Sequence, residues 1–100
     1  MTYVFDLDGT LCITKGREYR DAKPLMHRIA TVNALYDAGH RIMIDSARGS
    51  LTKQDWAAVT EAQLSLWGVK YHACRVGVKF YGDVYVDDNA VSLSEFFDAD

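Results

Sequence analysis

This chain is poor in several things. Its 100 residues include one proline and two cysteines, and they carry no excess of basic charge. Cys12 and Cys74 form neither a CxxC pair nor a His/Cys cluster. That spacing excludes a zinc knot and a disulfide-dense framework, and it leaves two free thiols, one near the surface and one in or beside a strand. Eleven Lys and Arg stand against 14 Asp and Glu, a net charge of −3. This is the opposite of the basic footprint of a general nucleic-acid binder, although it leaves room for one local anion site. No apolar run approaches the roughly 20 residues of a membrane-spanning helix. No basic start leads into an apolar stretch and a small-residue cleavage site. The expected location is the cytoplasm, with no membrane partner.

The chain is 49% hydrophobic and 25% charged, ordinary values for a globular protein. One domain over residues 1–100 accounts for that length, and a separate substrate-covering domain does not fit beside it.

Residues 2–6 are rich in β-branched and aromatic types and predict a first strand. Residues 9–23 are polar and mixed, and 11–23 read as a short flap rather than a packed element. Pro24 suits the first turn of a helix. Leu25, Ile29, Val32 and Tyr36 then recur at helical spacing up to a stop at Gly39. Residues 41–45 predict a strand buried on both faces. Thr52-Lys53-Gln54-Asp55 resembles a capping box opening a second helix, which runs through Trp56, Val59 and Leu64 to about Trp67. Residues 70–76 and 84–87 predict two more strands, and 92–98 a short last helix capped by Ser92. Strands alternating with helices predict an α/β fold: a three-layer α/β/α, Rossmann-like arrangement around a small, mostly parallel sheet.

Three of the predicted strands end in polar residues: Asp6 with Asp8, Asp45 with Ser46, and Asp87 with Asp88. Parallel topology brings such ends to one edge, where open α/β sheets bind ligands. Crowded carboxylates repel unless a cation or a shared proton holds them. Mg²⁺, which takes oxygen ligands, fits that demand, together with Lys79 and an anionic substrate.

The motifs also resemble a known family. Phe5-Asp6-Leu7-Asp8-Gly9-Thr10-Leu11 looks like the first motif of the haloacid dehalogenase superfamily of phosphohydrolases. Ile42-Met43-Ile44-Asp45-Ser46 resembles its second motif, Lys79 stands where the third motif's lysine is expected, and Val84-Tyr85-Val86-Asp87-Asp88 resembles the fourth. The ordered set covers about residues 2–90 and says more than any one motif. Ala47-Arg48-Gly49 and Leu64-Ser65-Leu66-Trp67-Gly68-Val69-Lys70-Tyr71-His72 are most similar to small capsule-biosynthesis-type phosphatases of that superfamily, which carry little or no cap. Two positions depart from the pattern: Phe80 stands where proline is common, and Ser46 replaces the commoner threonine.

The resemblance implies phosphoryl transfer through an aspartyl-phosphate. Asp6 is then the nucleophile and Asp8 the acid and base. Ser46 and Lys79 bind the phosphate, and Mg²⁺ is held by Asp6, the Asp8 carbonyl, Asp87 and Asp88. Arg48, Arg17 and Arg20 are candidate substrate contacts, with Arg48 equally suited to a structural ion pair and Asp45 to either the site or a turn cap. Lys70 is the competing choice for the site lysine. The implied substrate is a phosphorylated sugar or polysaccharide precursor. An open site also suits a large substrate, or a lid borrowed from another subunit in a homo-oligomer. The competing readings are a polynucleotide end-phosphatase or phosphotransferase of the same fold, and a non-catalytic Mg²⁺- or phosphate-binding module.

Overall fold

Thr2–Asp6 forms strand β1, the stretch that the opening apolar run predicts. The structure, a computed structural model, describes residues 1–77, 84–86 and 96–97. Arg41–Ser46 forms β4, Ala73–Val76 forms β5 and Val84–Val86 forms β6. They assemble with β1 into one sheet in the order β5-β4-β1-β6, and every pairing is parallel. Helix α1, Met26–Asp37, precedes β4, and helix α2, Ala57–Leu66, lies between β4 and β5. From β1 the chain steps outward through β4 to β5, and β6 then lies on the other side of β1. The strand order therefore reverses at β1, the position at which open α/β sheets place their ligand crevice. This is the expected small, parallel, Rossmann-like α/β fold.

Alternation along the strands divides the buried residues between two faces. Phe5, Ile42 and Ile44 share one core with Ile29 and Val32 of α1, Leu64 of α2, and Trp67, Val69 and Phe97. Val4 and Met43, in register on adjacent strands, are buried on the opposite face. Phe96 and Phe97, the described part of the predicted last helix, pack on β1, with ring centres 5.5 and 6.2 Å from Phe5.

The flap differs from expectation. Cys12–Ile13 (β2) pairs antiparallel with Lys23–Pro24 (β3), and a 3-10 turn at Tyr19–Asp21 lies between them. Leu11, Cys12 and Ala22 are buried in the main core, so both ends of the flap are packed into the domain. Cys12 is wholly buried rather than near the surface. Pro24 is not the first turn of α1. The Leu25 N–H donates to the Leu11 carbonyl (2.9 Å), which keeps the chain in the flap until Met26. A two-residue edge strand tolerates the N–H that proline lacks.

The second helix also starts later than its capping box predicts. Lys53 takes a left-handed conformation (φ 63°), and the Thr52 hydroxyl accepts from the Gln54 N–H in a local turn. Asp55 then accepts from the Ala57 N–H at 2.9 Å, where α2 begins. Short polar side chains offer the backbone such local bonds in competition with helix. Strand β5 starts at Ala73 rather than at residue 70, because the Lys70 N–H donates to Asn33 of α1 (2.8 Å).

Candidate functional site

The site is built on the carboxyl ends of β1 and β4. Parallel register pairs Asp6 with Asp45, and Asp45 in turn with Arg75 on β5. Neighbouring strands lie about 5 Å apart, so the strand-end acids Asp6 and Asp45 are side by side on the same face. Asp45 and Ser46 are both buried. The topology thus brings Asp6 and Ser46 to one edge, as the sequence predicts, and places Asp45 next to Asp6 in the row.

Beyond β1 the chain turns around one carbonyl. The Leu7 carbonyl accepts from the N–H groups of Thr10, Leu11 and Cys12 (3.2, 2.9 and 3.3 Å). Gly9 holds a left-handed φ of 84°, which a side chain would strain, and its N–H donates to the Cys12 carbonyl (2.8 Å). This tight loop presents Asp8 to Arg48. Arg48 Nε donates to Asp8 Oδ2 at 2.9 Å and Nη2 to Oδ1 at 2.8 Å, a two-pronged pair. Thr14 Oγ1 donates to the same Oδ1 at 2.6 Å.

Arg48 is almost wholly buried, with 1% exposure, and its other donors are used as well. Nη1 donates to Thr60 Oγ1 (3.2 Å) and Gln63 Oε1 (2.6 Å), both on α2. Its guanidinium lies 4.9 Å from the centre of the Tyr19 ring. Gln63 Nε2 donates back to the Tyr19 carbonyl at 2.6 Å, which ties the flap into the same network. Of the two roles the sequence allows for Arg48, this geometry is that of the structural ion pair rather than the substrate contact.

The electrostatics of Asp8 follow from these contacts. Burial pushes its carboxyl up. The hydrogen bonds from Arg48 and Thr14 and the Arg48 charge outweigh burial and hold it below the usual carboxylate value. Cys12 Sγ lies 3.5 Å from Asp8 Oδ1. Burial first, and the Asp8 charge second, push its thiol up to about 11, so it is neither a nucleophile nor a thiolate ligand at neutral pH.

The remaining candidates divide. Arg17 lines a cavity of about 340 Å³ between the flap and the loop after β4. Arg20 instead lies over the Trp56 ring, 4.8 Å from its centre. Lys70 is paired with Asp37 of α1 (2.8 Å) in an exposed salt bridge. Lys79, Asp87 and Asp88 lie outside the described residues. Among the described residues, no three His, Cys, Asp or Glu side chains are grouped to hold a metal ion. The Asp8 carboxylate in particular is engaged by Arg48. Among the described residues, no helix is long and apolar enough to cross a membrane.

Sequence reasoning missed Thr14, Thr60 and Gln63. The one signal for the last two is their spacing: polar residues at i and i+3 share a helix face, here the one that meets Arg48.

No family model matches the chain, and no curated protein matches it. A solved crystal structure does: a structural target from Vibrio cholerae, 29% identical, with a TM-score of 0.76 over 96% of this chain and 87% of that one. That likeness supports the α/β architecture.

Proposed function

We propose that this protein is a Mg²⁺-dependent phosphomonoester hydrolase of the haloacid dehalogenase type, working through an aspartyl-phosphate. The observation that carries the reading is the position of Asp6 and Asp8 at the end of β1, where the strand order reverses, with Asp45 and Ser46 ending the adjacent strand. The order of the four sequence motifs supports the same reading. A cytoplasmic location agrees with the free thiols of Cys12 and Cys74. A phosphorylated sugar is the substrate class that the resemblance favours.

In this mechanism a carboxylate oxygen of Asp6 attacks phosphorus, and the bond to the leaving oxygen breaks. That oxygen takes a proton from the Asp8 carboxyl. Water then gives a proton to Asp8, its oxygen attacks phosphorus, and the Asp6–phosphorus bond breaks to release phosphate. The Ser46 hydroxyl, whose oxygen accepts from the Arg48 N–H (3.2 Å), retains its own hydrogen to donate to a phosphoryl oxygen. Arg48 favours the ionised form of Asp8, which suits the water-activating half. The proton-donating half draws on the minor protonated form.

Asp6, the Asp8 carbonyl, Asp87 and Asp88 are the proposed oxygen ligands of Mg²⁺, a donor set of the kind this ion prefers. Bound there, the ion supplies charge neutralisation between the nucleophile and the phosphoryl oxygens.

Hydrolysis of p-nitrophenyl phosphate with Mg²⁺ or with EDTA tests the reading, alongside Asp6→Asn. We expect metal-dependent turnover that drops by about a thousandfold or more in the variant, as loss of a covalent nucleophile demands. Absence of metal-dependent turnover across a panel of phosphate esters overturns the proposal. Turnover unchanged in Asp6→Asn overturns the nucleophile.

A further inference from the structure

The cavity between the flap and the loop after β4 has a composition that the chemistry at Asp6 does not explain. Its volume of about 340 Å³ lies near the lower end of small-ligand sites, room for a group the size of one sugar ring. Its walls come from two segments: Arg17 and Tyr19 of the flap, and Ser50, Leu51, Thr52, Gln54 and Trp56 after β4. Ala47 and Gly49, the neighbours of Arg48, also border it, and the Tyr19 ring lies against the Arg48 guanidinium. The cavity therefore borders the chain on both sides of Arg48, with the Tyr19 ring between it and the guanidinium that grips Asp8. In the proposed mechanism Asp8 delivers its proton to the leaving oxygen, so the leaving group must lie on the Asp8 side of the phosphorus.

The lining indicates what that group is. Two hydroxyls and an amide, from Ser50, Thr52 and Gln54, offer both donors and acceptors. Among the described residues, no acidic side chain lines the cavity. Arg17 is exposed and forms no salt bridge among the described residues. The two aromatic rings among the described lining residues are already engaged. Trp56 is 8% exposed with Arg20 over its ring, and Tyr19 meets Trp56 edge-on while its own ring receives Arg48. A planar base needs open aromatic faces, whereas a hydroxyl-rich ring needs the hydrogen-bonding groups that are present.

From this we infer that the cavity between flap and β4 loop is the leaving-group subsite, and that it takes a sugar ring bearing a second negative charge, which Arg17 meets. Gly49 fixes the shape of this subsite. It sits at φ 80°, and a Cβ there would run into the Gln54 carbonyl, so the loop closes tightly against its own backbone. Arg20 belongs to the wall behind Trp56 and not to the subsite.

The inference rests on the phosphatase reading, and kinetics with four esters tests the two separately. The esters are p-nitrophenyl phosphate, glucose 1-phosphate, glucuronic acid 1-phosphate and glucose 1,6-bisphosphate. The last two distinguish a carboxylate from a phosphate as the second charge. We expect at least one of them to show a KM about tenfold or more below that of glucose 1-phosphate, the scale of one charge-assisted contact. Arg17→Gln should reduce that preference to within about twofold, while Arg20→Gln keeps it. A wild-type enzyme without the preference overturns the subsite, as does a preference that survives Arg17→Gln. In either case, Mg²⁺-dependent turnover of p-nitrophenyl phosphate leaves the phosphatase reading standing. No turnover of any of the four overturns both.

Discussion

Arg48 grips Asp8 with two hydrogen bonds of 2.9 and 2.8 Å across 40 residues of sequence, joining the loop after β1 to the loop after β4. The Arg48 side chain is wholly buried, and that of Asp8 is 27% exposed. This pair binds the two strand ends of the candidate site to each other, and through Thr60 and Gln63 to helix α2.

Removing one partner should therefore cost more than removing both. Arg48→Met leaves a carboxylate without its countercharge, and Asp8→Asn leaves a buried guanidinium without its own, although the bonds to Thr60 and Gln63 stay. Each is expected to destabilise the fold by about 2–4 kcal/mol, somewhat below the range for a fully buried pair because Asp8 is partly exposed. The double variant should recover part of the loss. Urea midpoints of the three variants check this. Arg48→Lys should not restore the wild type, since an ammonium cannot supply the fork.

The pair also gives stability a pH dependence. The Asp8 carboxyl titrates lower in the folded protein than its usual value of 3.8. A carboxyl lowered in this way stabilises the fold fully above its unfolded value. It loses that contribution as pH falls through the folded value. Urea unfolding of the metal-free protein should show this part of the stability intact above about pH 5 and lost progressively below about pH 4. In Asp8→Asn that acid-side slope should be shallower.

Both cysteines should resist modification in the native state. Burial pushes the Cys12 and Cys74 thiols up to about 11, leaving little thiolate at neutral pH. Ellman's reagent should react slowly with the folded protein and rapidly with both thiols in urea. Fast labelling of Cys12 under native conditions would contradict its place in the core.

Two glycines with similar backbone angles should respond differently to alanine. Gly39, after α1, has φ 95° with nothing within 4 Å of an added Cβ, so strain alone, about 1 kcal/mol, is expected. Gly49 has φ 80° and a Cβ would collide with the Gln54 carbonyl, so Gly49→Ala should cost about 2 kcal/mol or more. Thermal unfolding of the two variants makes the comparison. In Gly49→Ala the displaced loop should also weaken binding at the cavity that it borders.

Local chemistry along the chain determined much of this protein. The β-branched and aromatic run at residues 2–6, the helical stripe through Ile29 and Val32, and the apolar run into Asp45 specify strands and helices by periodicity alone. Their alternation specifies a parallel sheet, and a parallel sheet gathers Asp6, Asp45 and Ser46 at one edge. Tertiary structure decided the rest. Pro24 fell in a strand and α2 began beyond Thr52 because long-range and turn hydrogen bonds outweighed local helix signals. Nothing in the residues around Arg48 distinguishes a guanidinium that meets substrate from one that holds a carboxylate. That choice depends on Thr60 and Gln63 arriving from α2 and Tyr19 from the flap, contacts between segments that share no local pattern. Periodicity encodes which face of an element is buried, and only packing decides which polar groups meet there.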